Sequence, residues 1–456
     1  MGDRVSEYEE ILAYHLEQSY RCRADLGPLD DHSASVAARA AQLLASSGRR
    51  AFARTDLPAC ANLLGRAIEL LPRTDPERVE LLIDLATALT DEGRFSKAEE
   101  LLGEAIEVSK ASGSDRLGAH AELASLRLRL SSDPEVTAEE VRREAERAIA
   151  LFEAHGDHRG LSRAWYLLSW AHWLNLRAAA RQEALEHALE HARRAGDRPQ
   201  ELESLSYLTS PPAYGPMPVE EGFRFLDGLT EQARGDRKIE AAVVWSKAML
   251  EAMRGHFEDA RDLGERSIAI LEDLGMKVQA DASRAEALGY LEFLRGDTVA
   301  AEREYRAAYE ALDRMDEKAL LSTIAAELAR LLWRLGRHDE MERFIRVSKE
   351  SAASDDILSQ IKWRNAQAMF LASQGDADRA VALAREAVAL AEPTDVLSAH
   401  ADALMDHAEV LRLAGRSAEA ASAMREALRL FELKGNVVSA ERTQAMLEES
   451  SSTGQD

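Results

Sequence analysis

Glycines stand at 255, 296, 336, 375 and 415, at intervals of 41, 40, 39 and 40 residues. A near-constant period of this length constrains the fold more than any local motif, because it requires similar supersecondary units that stack and bury a shared core. The flanks repeat as well. Arg254-Gly255-His256-Phe257, Leu294-Arg295-Gly296-Asp297, Arg334-Leu335-Gly336-Arg337, Ser373-Gln374-Gly375-Asp376 and Leu413-Ala414-Gly415-Arg416 each lie between two apolar-periodic segments. Small residues recur five positions after the glycine (Ala260, Ala301, Ala380, Ala420, with Met341 the larger exception) and twelve after it (Ser267, Ala308, Ser348, Ala387, Ala427). They also stand seven before it, at Ala248, Gly289, Ala329, Ala368 and Ala408. Side chains of this size let two antiparallel helices approach closely, so the unit is a helical hairpin.

The pattern extends into the first half. Gly93 has Ala86, Ala98 and Ala105 in register, and the interval from Gly93 to Gly255 places degenerate anchors near 133, 174 and 215. Each falls on a break: Ser132-Asp133-Pro134, Asn175-Leu176-Arg177 and Tyr214-Gly215-Pro216. Gly48 and Ala67 mark one further unit. Between units, Gly113, Gly156, Gly196, Gly235, Gly275 and Gly435 follow apolar stripes, where glycine can end one helix and a neighbouring Asp or Ser can cap the next. The fold expected is all-α: a right-handed superhelical solenoid of about ten antiparallel hairpins over 33–433. A helix and junction precede it over 1–32, a capping helix follows over 434–449, and a disordered polar tail is expected over 450–456.

Composition agrees. Aromatics are 5% of the 456 residues, and glycine (25) and proline (11) are scarce enough for long helices punctuated at turns. The net charge of −24 discourages non-specific binding to nucleic acid or anionic membrane. Two cysteines, Cys22 and Cys60, exclude a disulfide scaffold and a cysteine-rich zinc site. No segment approaches the roughly 20 apolar residues that span a bilayer, so a soluble cytoplasmic protein is expected.

The phosphate-loop, dinucleotide, nucleophile-elbow, zincin and calcium-loop signatures are absent. No catalytic residue and no cofactor are therefore expected. His187 and His191, four apart, share a helical face, and His172 could approach from the preceding helix. Glu190 is not at the catalytic place between them, so no metal is expected and a helical metal-dependent enzyme is the lesser alternative. The densest aromatic cluster, Trp165, Tyr166, Trp170 and Trp173 with Tyr207 and Tyr214, marks either a packed node or a secondary ligand-facing patch. The four prolines of 209–218 predict an extended loop beside it.

First helices of stacked hairpins line the concave wall. Counting from each glycine, the inward positions are Trp245, Met249 and Met253, then Tyr290 and Phe293, then Arg330, Trp333 and Arg334. Lys362, Asn365 and Met369 come next, and Asp402, Met405, Glu409 and Arg412 last. An apolar stretch runs into a basic one, a surface fit for an extended or helical peptide.

The small-residue register resembles that of the tetratricopeptide repeat, with Pro72 at the repeat's closing position, over about residues 33–433. The period exceeds the family's usual 34, which implies lengthened helices. A narrower resemblance lies in Glu10-Ile11-Leu12-Ala13-Tyr14-His15-Leu16-Glu17-Gln18-Ser19-Tyr20-Arg21, Gly48-Arg49-Arg50-Ala51 and Asp56-Leu57-Pro58-Ala59-Cys60-Ala61-Asn62-Leu63-Leu64. These segments are similar to the junction between the ATPase module and the carboxy-terminal repeats of bacterial adenylate/guanylate cyclase-type or transcriptional signalling ATPases. That resemblance implies a sensor array in signalling or transcriptional regulation. The expectation is a non-enzymatic scaffold or sensor that binds protein or peptide, with a ligand-sensing fragment of such a regulator, open to a small-molecule effector, as the alternative. Oligomeric state is left open.

Overall fold

The computed structural model describes residues 2–54, 56–133, 135–233, 235–315 and 318–452. Among these residues there is no strand. Ten helical hairpins follow one another, their first helices beginning at Asp31, Pro76, Asp115, His158, Arg198, Arg237, Lys277, Lys318, Ile357 and Leu397. A helix Gly2–Leu26 precedes them and a helix Val437–Ser452 follows. The last helix continues beyond the expected boundary at 449, so 450–452 are helical rather than part of a disordered tail; 453–456 lie outside the described residues.

The hairpin joint is set by one backbone conformation. Gly255 ends the helix Arg237–Arg254 at φ 85°, and its N–H bonds to the Ala252 carbonyl. A Cβ disfavours that region, which is why glycine marks the period. At a degenerate anchor Leu176 takes φ 49° instead, its side chain 1% exposed, so burial compensates the strained backbone. The small residues of the register sit where the helices cross: Ala301, Ala308, Ala329, Ala380 and Ala387 are each 0% exposed. The predicted breaks near 133, 174 and 215 all separate paired helices. The proline segment departs from expectation. It forms a short helix, Ser210–Tyr214, with Pro211 and Pro212 in its first turn, where a missing N–H breaks no intrahelical bond.

The chain divides into two compact units, one of residues 1–130, 144–164 and 191–201, the other of 131–143, 165–190 and 202–456. In the first, the helix Gly2–Leu26 buries Ala13 in the hydrophobic core and pairs Glu17 with Arg21 and Arg66. Its outer face leaves Tyr8, Ile11, Leu12 and Tyr14 exposed. Asp84 is buried and bonded by three arginines, at 2.8 Å to Arg49, 2.7 Å to Arg159 and 2.8 Å to Arg163. Burial alone raises its pKa, but Arg159, Arg163 and Arg49 hold its carboxyl well below the usual range.

In the second unit three ties recur at one sequence separation. The Ala138 N–H, at the start of the helix Ala138–His155, donates to Asp355, and the Ala178 N–H donates to Asp395 at 2.6 Å. Lys434 donates to the Met217 carbonyl at 2.7 Å; each of the three pairs is 217 residues apart. The hairpins of this unit therefore meet again after a little over five repeats. Asp355 and Asp395 cap helix N-termini, where free N–H groups and the dipole favour an anion. Lys434 serves the opposite polarity, donating also to Pro212 at 2.6 Å and Gly215 at 2.9 Å around the end of the short helix.

The 41-residue interval has a local cause. Gly275 to Gly296 is one residue longer than Gly235 to Gly255, and the helical stretch between them contains a π-helical turn, Arg284–Gly289. An inserted residue is absorbed there as a wider turn of helix, a feature common at functional sites.

Candidate functional site on the inner wall of the second unit

Three successive first helices, Lys318–Arg334, Ile357–Ser373 and Leu397–Leu413, converge on a small cleft. Its polar lining is Glu327, Arg330, Lys362, Asn365, Asp402 and Asp406, and the cavity of about 20 Å³ has room for about one water. Lys362 pairs with Glu327, and Arg330 lies 3.4 Å from Glu327 and 3.2 Å from Asp406. Burial raises the Glu327 carboxyl, but Lys362 and Arg330 outweigh it and hold the pKa at about 2. Burial prevails at Asp406, which Arg330 only partly offsets; its pKa is pushed up to about 6. The amide oxygen of Asn365 is buried and among the described residues has no hydrogen-bond partner, so the cleft contains an unused acceptor.

Beside the cleft, Phe293 gathers three guanidiniums. Arg330 lies 4.6 Å from its ring centroid, Arg334 4.8 Å and Arg442 6.0 Å. Arg442 donates to the Leu294 carbonyl, and among the described residues neither Arg334 nor Arg442 is ion-paired. Asn436 bonds the Tyr290 hydroxyl at 3.4 Å on the same wall.

The inward residues expected from the period thus separate into groups. Tyr290, Phe293, Arg330, Arg334, Lys362 and Asn365 lie on this wall. Trp245 and Met249 are 8% and 4% exposed, in an apolar cluster with Tyr214 at their edge. Trp333 packs against the hydrophobic core and does not line the cleft. Arg442 and Asn436 lie outside the first-helix positions, in the terminal helix and the turn that leads into it.

The secondary aromatic residues also divide. Trp165 stacks on His187 at 4.4 Å. Trp170 meets Tyr207 at 5.2 Å, Trp173 meets Tyr214 at 5.3 Å, and Tyr214 continues to Trp245 at 5.8 Å. The Tyr214 hydroxyl interacts with Glu286, in the π-helical turn; burial raises the Glu286 pKa to about 7 against the opposing pull of Tyr214 and Lys362. Neither Glu286 nor Arg181, which sits among these rings, has a sequence motif that would single it out. His191 bonds His158 at 3.0 Å and His187 faces Trp165, so the two face different neighbours. Among the described residues no group of three His, Cys, Asp or Glu is arranged to hold a metal, and no helix is long and apolar enough to cross a membrane.

Among solved structures the chain resembles a Rap protein complexed with competence and sporulation factor, at 16% identity and a TM-score of 0.59, over 80% of this chain and 100% of that one. It also resembles the APC/C hetero-tetramer Cut9–Hcn1, at 16% identity and a TM-score of 0.52, over 92% of this chain and 80% of that one. No protein-family model matches the chain, and no curated protein does. The likeness shows the fold, a tetratricopeptide-like helical repeat.

Proposed function

We propose that the protein is a non-enzymatic binding module that holds an acidic, partly apolar protein segment on the inner wall of its second unit. The observation that carries this reading is the guanidinium cluster on Phe293, in which Arg334 and Arg442 have no carboxylate partner among the described residues, beside the unused acceptor of Asn365. Arginines on an aromatic face keep their in-plane donors for a carboxylate, and Asn365 can accept from a backbone N–H. Both solved structures named above are complexes, one with competence and sporulation factor and one a hetero-tetramer, which supports a partner-binding role for this fold. A cytoplasmic scaffold or sensor in bacterial signalling or transcriptional regulation is the setting we infer from the junction-like segments near the amino end. The cyclase-type ATPase resemblance belongs to the same inference.

The test is a selection of displayed random peptides on the intact chain, followed by affinity measurement on Arg334→Ala and on Arg429→Ala, an exposed arginine paired with Glu426. Peptides carrying carboxylates between apolar residues are expected, with at least tenfold weaker binding to R334A and unchanged binding to R429A. Equal affinity for the intact chain and R334A overturns the assignment.

A further inference from the structure

Arg181, in the first turn of the helix Ala178–Ala195, is 4% exposed. Its guanidinium lies 4.2 Å from the centroid of Trp173 and 5.5 Å from those of Trp170 and Tyr207. Its Nε is enclosed without an acceptor, and among the described residues no carboxylate pairs with the group. Arg330, also buried with its Nε lacking a hydrogen bond, differs in having carboxylates beside it, Asp406 and Glu327, and Arg159 bonds Asp84. Burial lowers the Arg181 pKa to about 10, with Tyr207, Tyr166 and Tyr214 opposing it, so the group remains a cation at neutral pH. The ring faces offset part of its lost hydration. They accept none of its in-plane hydrogen bonds, and a guanidinium has five N–H donors.

The geometry points to a carboxylate-binding site at Arg181, framed by Trp170, Trp173 and Tyr207, that takes the carboxylate of a small acid or of a peptide. A planar fork of donors matches a planar two-oxygen acceptor, and the flanking rings restrict what approaches to a flat group. Nε is the enclosed nitrogen; the terminal nitrogens are not among the enclosed, unpartnered atoms and are the ones a ligand would meet. The rings continue into a packed aromatic row, because Trp173 touches Tyr214 and Tyr214 touches Trp245. Glu286 acts on Tyr214 and does not fill the site. This site is separate from the cleft lined by Arg330 and Asn365, and each stands without the other.

Tryptophan fluorescence of the full chain, read at constant ionic strength, tests it with three probes: acetate, benzoate, and a pair of peptides that differ only in a free or an amidated C-terminus. A saturable change with benzoate or acetate identifies a free acid as the ligand. A change confined to the free-terminus peptide, at least tenfold tighter than its amide, identifies a peptide carboxylate. In either case Arg181→Met, close in volume, abolishes the response and Arg181→Lys weakens it at least several-fold, while Arg429→Ala, at an exposed arginine paired with Glu426, leaves it unchanged. The Lys variant keeps the test open should R181M fail to fold. No saturable response to any probe, or the same response in whichever Arg181 variant retains its helical circular dichroism, overturns the proposal.

Discussion

Lys434 is 0% exposed, yet among the described residues it has no carboxylate partner; the carbonyls of Pro212, Gly215 and Met217 accept from its ammonium group. Three acceptors match three protons, so the residue fastens the last hairpin to the proline segment by hydrogen bonds to carbonyls left over at a helix end. Lys434→Met fills similar space but leaves those carbonyls unpaired, and is expected to lower stability by about 2–4 kcal/mol in denaturant unfolding. A loss within experimental error would show that water replaces the lysine without penalty. Glu286 acts through protonation. Its folded pKa of about 7 lies above the ordinary carboxyl value, so between pH 4.5 and 7 the folded chain keeps a proton that the unfolded chain has released. Stability must then fall as pH rises through that window. Tyr214 and Lys362 are the groups that face this carboxyl, and both favour its charged form without overcoming burial. Glu286→Gln keeps a polar group for Tyr214 and removes the titration, so the drop in melting temperature from pH 5 to pH 8 should be smaller in E286Q. Equal drops in the two proteins would place the burden on Asp406 instead.

Two helical glycines, Gly289 at the end of the π-helical turn and Gly228 in an α-helix, separate crowding from propensity. A Cβ at Gly289 would lie 2.7 Å from the Tyr305 ring, whereas one at Gly228, in the helix Val219–Ala233, meets nothing within 4 Å. Gly289→Ala should therefore cost about 1–3 kcal/mol by overpacking, and Gly228→Ala should gain about 0.5–1 kcal/mol. Thermal melts of the two variants check both signs, and a stabilised G289A would mean that Tyr305 moves aside freely. Gly289 also shows how much of this level was legible in the sequence. The period revealed that a small residue was required there, since helix crossings repeat with the units, but not that a tyrosine filled the space. The extra residue before Gly296 was visible as an interval of 41, while its absorption as a π-helical turn depends on packing against the neighbouring helices. Pro211 and Pro212 read as extended chain in the sequence because the same prolines suit a loop or the first turn of a helix, and here they begin one. Arg330, Lys362 and Asn365 were placed on the wall by counting turns. The count could not show that Tyr214, from the short helix Ser210–Tyr214, packs with Trp245 and Met249.

Repeat arrays ordinarily hold each unit by its neighbours alone, so their stability is a sum of local terms. The second unit departs from this: the ties at a 217-residue separation join hairpins far apart in sequence, and Gly435 lies beside Val219, 216 residues before it. This offset could not be read from the sequence, because it reflects a small rotation per repeat that accumulates over about five units and leaves no local pattern. Asp395 illustrates the difficulty. It looks like the cap of its own following helix, yet its carboxylate receives the N–H groups of Ala178 at 2.6 Å and Ala179 at 2.9 Å. The consequence is cooperative: opening the last hairpins removes caps from helices that begin at 138 and 178, so distant helices should open together. Hydrogen exchange under native conditions would then give the helices Ala178–Ala195 and Ser417–Lys434 similar opening free energies in the intact chain. In the double variant Asp395→Ala, Lys434→Met the two values should separate, with Ser417–Lys434 opening first, because the remaining contacts of each helix are with its own sequence neighbours. Asp395→Ala alone removes one cap, worth about 1 kcal/mol, and should separate them only slightly. If both helices keep a common opening energy in the double variant, the coupling runs through the apolar core and the polar ties merely follow it.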